Sequence, residues 1–194
     1  MAKRILLIEG HPDPDPARYL RALANAYAEG AQAAGHEVER IAVATLEIPF
    51  LRSQAEWQAA EPPAALRACQ EAIRRAEHIV ILYPLWLGTL PAMLKAFLEQ
   101  VLRPGFAIGS AGRLGHAPLL KGRSARIVIT MGMPALVYRW WFGAHSLRSL
   151  ERNVLRFVGL GPIRETLIGP VEAMGPARRA AWIGTLRRIG RQGR

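Results

Sequence analysis

The chain repeats one local pattern, a short apolar run of strand character followed by an amphipathic helical stretch. The strand-like runs are RILLIEG (4–10), EVERIAVA (37–44), HIVILYP (78–84), ARIVITMG (125–132) and IRETLIGP (163–170). The helical patterns fall at about 17–34, 64–76, 91–102, 146–157 and 176–190. Near-continuous Ile, Leu and Val runs that alternate with amphipathic helices predict an α/β fold with a parallel sheet covered on both faces.

Five such units favour an open, doubly wound five-stranded sheet over a barrel, which needs eight units and a longer chain. The 194 residues fit one domain, spanning 1–194, which is large enough to form a hydrophobic core without disulfides or structural metals. Ligands of doubly wound sheets bind outside the carboxyl ends of the strands. A site is therefore expected in the segments that follow the first, third and fourth strand-like runs, RILLIEG, HIVILYP and ARIVITMG.

The first of these segments is EGHPDPDPARYL. Pro16 suits the start of a helix, so the amides of Ala17, Arg18 and Tyr19 are expected at a helix N-terminus, where phosphate binds well. The Arg18 guanidinium adds a forked cation for phosphate oxygens. The alternative is a capped loop ordered by prolines, in which Asp13 or Asp15 is the cap and His11 is merely polar. No glycine-rich dinucleotide or Walker signature is present.

The second segment, YPLWLGTLPAMLKAFLEQVL, lies between Pro84 and Pro91 before it becomes a helix. The amides in this stretch have no ladder or helix to satisfy them, and buried amides need partners. A flat heteroaromatic ligand would supply such partners, with Trp86 or Leu87 covering its face. The alternative is an ordinary strand-to-helix turn whose tryptophan belongs to the core.

The third segment is ITMGMPALVYRWWFGAHSL, in which Thr130, Gly132 and Pro134 interrupt the apolar run and Gly132 permits close backbone approach. Tyr138 and His145 form the titratable pair in an aromatic stretch with Trp140, Trp141 and Phe142. A phenol and an imidazole near a flavin could share the charge that develops on its ring. The alternative is that both are satisfied polar tips on an apolar surface.

The charge balance is basic, with 26 Lys and Arg against 15 Asp and Glu, a net charge of +11. The densest group lies at the end of the chain, where Trp182, Leu186 and Ile189 also occur at helical spacing. We expect a terminal helix docked on the core with solvated arginines rather than a nucleic-acid or lipid patch. Without a recognition motif, nucleic acid is not an expected partner.

The single cysteine, Cys69, excludes an intramolecular disulfide and has no spaced His or Cys for a metal, so we expect no metal site. The apolar run at the N-terminus, from Ile5 to Ile8, is too short for a signal peptide. No window reaches the roughly 18 apolar residues of a membrane span. These features predict a soluble, cytoplasmic protein.

Three stretches together resemble the flavodoxin-like NAD(P)H-dependent oxidoreductases, a family that includes NAD(P)H:quinone reductases and ancillary subunits of potassium-efflux systems. They are GHPDPDPAR, YPLWLGTLPAMLKAFLEQVLRPGFA and LLKGRSARIVITMGMP. The resemblance runs from Ile5 to about Gly161, and its most specific part is Pro84 through Phe106.

The resemblance implies a flavodoxin-like fold and a non-covalent flavin, FMN or FAD, with its phosphate at the loop from His11 through Tyr19. The flavin ring would meet backbone at two segments, which comprise Pro84, Leu85, Trp86, Leu87 and Gly88, and Thr130, Met131, Gly132 and Met133. Tyr138 and His145 fall where the quinone reductases carry a Tyr and a His that stabilise the reduced ring. The family works as a homodimer, and NADH or NADPH and a quinone use one pocket in turn.

Two departures from the family pattern affect these implications. The phosphate loop carries Pro16, Ala17 and Arg18 where the family has Ser followed by an aromatic residue, so Arg18 would replace the hydroxyl. The usual PLWWF-like run is PLWLG, with Leu87 and Gly88 in place of pocket aromatics, which leaves a quinone or another small electrophile as the acceptor.

Two functions from different classes follow. The first is a flavin-dependent NAD(P)H oxidoreductase that reduces a quinone or similar acceptor by two electrons. The second is a flavin-binding ancillary subunit that docks on a membrane transporter, with the basic C-terminal face toward lipid or protein.

Overall fold

The computed structural model describes residues 1–59, 61–112 and 115–194, and for 111, 112 and 115 the backbone alone. These residues form seven strands: β1 (Arg4–Glu9), β2 (Glu37–Ala42), β3 (His78–Pro84), β4 (Ile108–Gly112), β5 (Gly115–Pro118), β6 (Ser124–Thr130) and β7 (Ile163–Ile168). The α-helices are α1 (Tyr19–Ala33), α2 (Gln54–Gln58), α3 (Arg67–Arg75), α4 (Ala92–Val101), α5 (His145–Ser149) and α6 (Pro176–Arg191). All five predicted strands are present.

The main sheet has five parallel strands in the order β2-β1-β3-β6-β7. The chain first adds β2 on one side of β1 and then β3, β6 and β7 on the other, so the winding reverses beside β1. This is the doubly wound arrangement that the sequence predicts, and it places the topological switch point between β1 and β3.

Alternate residues of the central strands enter two separate cores, one on each face of the sheet. Ile5 and Leu7 pack with α1 and α6, whereas Leu6 and Ile8 pack with α3, α4 and the segment after α5. This alternation follows from the two-residue period of a strand, and it explains why the central residues of β1 and β3 are all apolar.

The terminal helix α6 packs against α1, with Leu186 and Ile189 buried and Trp182 packed partly against the same core. The prediction of a docked amphipathic helix is confirmed. Two glycines allow close contact, because a Cβ on Gly30 would lie 1.9 Å from the Arg187 carbonyl oxygen. A Cβ on Gly190 would likewise lie 2.1 Å from the Tyr27 carbonyl oxygen.

Four features differ from the sequence prediction. The helix expected from residue 17 begins at Tyr19, because the Asp15 carboxylate accepts the Ala17 amide and the Asp15 carbonyl accepts the Arg18 amide. The helix expected at 146–157 is α5 followed by a π-helical segment, Leu150–Leu155. The hairpin of β4 and β5 and the short helix α2 were not predicted.

Among the described residues, no helix is both long enough and apolar enough to cross a membrane.

Candidate functional site

The three predicted segments meet at the carboxyl edge of the sheet, where they line one cleft of about 500 Å³. A cleft of this volume can hold a small molecule or cofactor. Its lining comes from the loops after β1, β3, β6 and β7: His11, Asp13, Ala17, Arg18, Tyr19, Leu20, Pro84, Trp86, Thr130, Val171, Glu172 and Arg179.

The loop after β1 is built from side chains that accept nearby amides. The Asp13 amide donates to His11 Nδ1 (3.0 Å), the Asp15 amide to Asp13 Oδ1 (2.9 Å) and the Ala17 amide to Asp15 Oδ1 (2.8 Å). Burial lowers the pKa of His11. An Nδ1 that accepts a hydrogen bond belongs to the neutral ring, so the His11 proton resides on Nε2, which is a donor.

Arg18 is held at the cleft by two carboxylates. Its Nε donates to Asp13 Oδ2 at 2.7 Å, and the same Nε lies 3.8 Å from Asp15 Oδ2. The pKa of Asp13 is lowered, first by the hydrogen bond from the Asp15 amide and then by Arg18. The guanidinium is half exposed, and a bound phosphate would compete with these carboxylates for it.

Helix α1 begins beside Arg18 without a carboxylate in its first turn. Within the described part of the chain, the amides of Tyr19 and Leu20 donate to no acceptor. The Arg179 guanidinium lies 4.8 Å from the centre of the Tyr19 ring, and the Tyr19 hydroxyl donates to the Arg179 carbonyl at 3.0 Å. This end of the cleft therefore offers unpaired amides at a helix N-terminus and two cations, which favours an anion.

The loop after β3 is a tight turn. Trp86 and Thr89 exchange two backbone hydrogen bonds of 2.9 Å, and between them Leu87 and Gly88 have positive φ angles of 46° and 78°. The Leu85 amide is also used, by the Thr130 carbonyl at 2.7 Å. The amides of Leu87 and Gly88 find no acceptor in the described chain, so two donors in this turn remain for a ligand.

Trp86 faces the cleft and is 48% exposed. Its ring meets the edge of His11 with the ring centres 5.8 Å apart and the planes at 80°. The tryptophan thus lies outside the core, contrary to the ordinary strand-to-helix turn considered above. Its exposed ring can cover a flat ligand.

The loop after β6 also leaves amides unpaired. The Met131 amide donates to the Ile168 carbonyl at 2.9 Å, whereas those of Gly132 and Met133 have no acceptor among the residues described. A Cβ on Gly132 would lie 2.9 Å from Glu172 Oε2, and one on Gly169 would lie 2.1 Å from the Met133 carbonyl oxygen. The loop is therefore fixed closely against the segment after β7.

Tyr138 and His145 are not among the residues that line the cleft. Tyr138 is buried, and its hydroxyl bonds to Ser146 Oγ at 2.7 Å and accepts the Leu147 amide at 3.1 Å. His145 is exposed at the first residue of α5. In this arrangement the Tyr138 hydroxyl organises the chain around α5, while a catalytic role for the pair stays a prediction.

Five lining residues were not among the predicted binding residues: Asp13, Leu20, Val171, Glu172 and Arg179. The last three follow β7, an edge strand whose loop the sequence pattern did not single out. The same rule, that ligands of doubly wound sheets bind outside the carboxyl ends of the strands, would have indicated the segment after β7, because β7 ends at that edge like the other strands. In residues 1–59, 61–112 and 115–194, no group of three or more His, Cys, Asp or Glu side chains is placed to hold a metal.

An apolar groove of about 490 Å³ adjoins the cleft and shares Trp86 with it. It runs between α4 and the helical segment that starts at α5, and it is lined by Leu90, Leu98, Leu150 and Val154 among others. The polar cleft thus continues into a surface that favours apolar molecules.

Comparison with known proteins agrees with this architecture. One curated relative is an FMN-dependent NADH:quinone oxidoreductase from Bradyrhizobium diazoefficiens, 28% identical over 102 residues, which are 53% of this chain and 48% of the relative. Another is the glutathione-regulated potassium-efflux system ancillary protein KefG of Escherichia coli, 41% identical over 71 residues, or 37% of this chain and 36% of the relative. The chain thus spans about half the length, or less, of these curated relatives.

The fold is shared with a solved NAD(P)H:quinone oxidoreductase from Methanothermobacter marburgensis. The TM-score is 0.82 at 23% identity, and 98% of each chain is covered. A family model described as "Flavodoxin-like fold" matches residues 3–188, which is nearly the whole chain. The chain therefore belongs to this flavodoxin-like family.

Proposed function

We propose that this protein is an FMN-dependent oxidoreductase that accepts hydride from NADH or NADPH and passes it to a quinone or similar small acceptor. The observation that carries the proposal is the cleft at the carboxyl edge, at or beside which backbone amides in the loops after β1, β3 and β6 have no acceptor in the described chain. The names of the curated relatives from Bradyrhizobium diazoefficiens and Ruegeria pomeroyi support the cofactor and the substrates.

The residues of the cleft fit a flavin mononucleotide. A ring with carbonyl and nitrogen acceptors would meet the unpaired amides of Leu87, Gly88, Gly132 and Met133, and Trp86 would cover it. A phosphate would meet the helix N-terminus of α1 and Arg18. The cleft and the turns beside it thus offer donors for both ends of an acceptor-rich, anionic cofactor.

When bound, the flavin supplies the hydride chemistry, and the protein supplies binding, orientation and electrostatics. The backbone donors hold a ring in place without a titratable group, so their effect is constant with pH. The neutral His11 lines the cleft and adds no charge there. Tyr138 and His145 are proposed to influence the reduced ring, with His145 exposed and Tyr138 acting through the position of α5.

The acceptor and the nicotinamide would use the groove side of the cleft in turn. The groove shares Trp86 with the cleft and is apolar, which suits flat, uncharged molecules such as quinones. We also propose that the protein acts in the cytoplasm and forms a homodimer, as the family resemblance implies.

The test is the visible absorption spectrum of the purified protein, followed by heat release and chromatography of any yellow chromophore. We expect an FMN spectrum that an anaerobic titration with NADPH or NADH bleaches and a quinone restores. A protein that stays colourless, and that takes up neither FMN nor FAD on reconstitution, would contradict the proposal.

A second function, an ancillary subunit of a potassium-efflux transporter, is favoured by the 41% identity to KefG. The same samples separate the two functions. A protein that binds flavin but turns over no quinone would favour the ancillary role, whereas steady turnover would favour the enzyme.

A further inference from the structure

An exposed apolar surface lies directly after the Gly132–Met133 loop of the cleft. We define this aromatic patch as Leu136, Val137, Trp140, Trp141 and Phe142, with Trp140 79% exposed and Trp141 84% exposed. A run of exposed large apolar side chains of this kind marks an interaction surface rather than ordinary protein surface.

The chain holds these side chains outward. Tyr138, in the middle of the patch sequence, is buried and bonded through its hydroxyl to Ser146 and Leu147. The Ala144 amide donates to the Tyr138 carbonyl at 3.0 Å, after a turn in which Gly143 and Ala144 both have positive φ. Because Tyr138 anchors the segment, its exposed neighbours cannot turn inward without breaking these bonds.

Basic residues accompany the patch in the sequence: Arg139, within it, pairs with Glu165, and further arginines follow it. Between residues 131 and 150 the sequence has no Asp or Glu. Arg148 and Arg152 are exposed, and neither pairs with a carboxylate in the described structure. His145, Arg148 and Arg152 are separated by three and four positions, so they lie along one side of the helical segment.

This combination matches one kind of partner better than the others. Tryptophan favours the boundary between hydrocarbon and water, and exposed arginines are attracted to anionic lipid headgroups. A two-fold pairing of this surface with a second copy would bring equal cations together, because such an interface uses the same surface twice. We propose that the aromatic patch docks the protein on the surface of an anionic lipid bilayer.

The basic C-terminal helix is a poorer lipid surface, since several of its arginines are already engaged. Arg179 donates to the carbonyls of Val171 (2.6 Å) and Met174 (3.1 Å), and Arg187 pairs with Glu29 at 2.7 Å. Docking through the aromatic patch would place the cleft and its apolar groove close to the lipid. If the proposed function holds, acceptors dissolved in the bilayer would then reach the cleft directly.

The test is co-sedimentation of the purified full-length protein with vesicles made of an equal mixture of phosphatidylcholine and phosphatidylglycerol, compared with pure phosphatidylcholine. We expect the wild-type protein to bind the mixed vesicles, and Trp140→Ser with Trp141→Ser to lower partitioning by about tenfold or more. Arg148→Gln with Arg152→Gln should lower it on the order of tenfold. Because these side chains are exposed, circular dichroism and melting temperature should not change.

The matched control is Arg188→Gln with Arg191→Gln, which removes two exposed arginines from α6 and should leave binding within about twofold. Light scattering follows the oligomeric state of every variant.

The proposal is overturned if the wild-type protein does not bind the vesicles, if the control pair removes binding instead, or if the tryptophan variant binds as the wild type does. A tryptophan variant that no longer self-associates yet binds vesicles normally would assign the patch to a second copy. Vesicle binding does not depend on flavin, so its failure is separate from a failure of the proposed function.

Discussion

Polar groups at the amino edge and at the carboxyl edge of the main sheet differ in how many of them find hydrogen-bond partners within the chain. At the amino edge, the side chains bind other parts of the chain: Lys3 Nζ donates to the Gly193 carbonyl at 2.8 Å, and Arg126 donates to the Thr166 hydroxyl at 2.7 Å. His78 Nδ1 bonds to Ser124 Oγ at 2.8 Å. Most of these polar groups are therefore satisfied within the chain, and His78 Nε2 is a buried exception without a partner.

At the carboxyl edge, the amides of Leu87, Gly88, Gly132 and Met133 have no acceptor in the described chain. The same edge carries the cleft and the half-exposed Trp86. The difference teaches that a site lies where the chain leaves its hydrogen-bonding groups unsatisfied. Changes at the amino side should therefore alter stability, and changes at the carboxyl edge should alter binding.

The largest expected effect is on stability, at the contact between α1 and α6 away from the cleft. Gly30→Ala places a Cβ 1.9 Å from the Arg187 carbonyl oxygen, so the helices must separate. We expect the free energy of unfolding to fall by about 3 kcal/mol, with FMN affinity unchanged in the folded fraction. Urea denaturation and FMN titration measure the two quantities.

Gly184→Ala is the matched control for Gly30, because a Cβ at Gly184 of α6 meets nothing within 4 Å. Because alanine has a higher helix propensity than glycine, Gly184→Ala should raise the free energy of unfolding by about 0.5 to 1 kcal/mol. Equal effects of the two substitutions would show that close helix contact is not what Gly30 provides.

The next effect is the pH dependence set by the amino edge. Burial, with smaller contributions from Lys3 and Arg126, lowers the pKa of His78 to about 3. The unfolded chain takes up this proton near pH 6.5, well before the folded chain does, so stability is complete above about pH 6.5 and falls as the pH drops toward 3. Between pH 6.5 and 5 the loss from His78 should be about 2 kcal/mol.

His78→Asn tests this prediction, because asparagine does not titrate. Denaturant midpoints measured from pH 7 to 5 should fall less steeply for the variant than for the wild type. Parallel pH profiles would exclude His78 as the source of the acid sensitivity.

A smaller effect, confined to binding, is expected at the carboxyl edge. Arg18→Ala removes the cation proposed to meet the phosphate, and FMN affinity should fall by about tenfold. Stability should change little, because Arg18 is half exposed and its partners Asp13 and Asp15 are at the surface. Arg188→Ala, which removes an exposed arginine of α6, is the control for net charge. FMN bound equally by both variants would rule out the phosphate assignment.

The smallest effect is expected from the pair outside the cleft. Tyr138→Phe leaves the Leu147 amide and the Ser146 hydroxyl without their partner, which should cost about 1 kcal/mol of stability. Tyr138→Phe with His145→Gln should slow flavin reduction by NADPH by about threefold, less than the loss of a donor in direct contact. His145→Gln alone tests the exposed ring without the stability cost. A stopped-flow rate equal to that of the wild type would end the proposed role in charge sharing.

The inner strands β1, β3 and β6 were predictable because their Ile, Leu and Val runs are buried on both faces. The edge strands β2 and β7 are partly exposed and carry a weaker, alternating pattern. The bounds of all five agree with the structure within about two residues. The hairpin of β4 and β5 was not, since GSAGRLGHAP contains three glycines and no apolar alternation. The start of α1 depends on which acceptors the Ala17 and Arg18 amides find, and the Asp15 carboxylate and carbonyl compete with the helix for them. The single domain spanning 1–194 stays a prediction.

The sequence also indicated the three loops of the cleft, since prolines and glycines follow each apolar run. It could not indicate that Arg179, on the last helix, would stack on Tyr19, because that contact depends on how α6 packs against α1. Nor could it show that Ser146 would bind the Tyr138 hydroxyl. Both contacts join residues whose relation is set by tertiary packing.

The unpaired amides of the carboxyl edge also bear on the lifetime of the protein in a cell. A ligand that satisfies them binds the folded chain alone and, at about one hundred times its dissociation constant, adds about 2.7 kcal/mol to stability. The population open to proteases then falls by about one hundredfold. If that ligand is the proposed FMN, the abundance of this protein should follow the supply of FMN, with chains made in its absence degraded first.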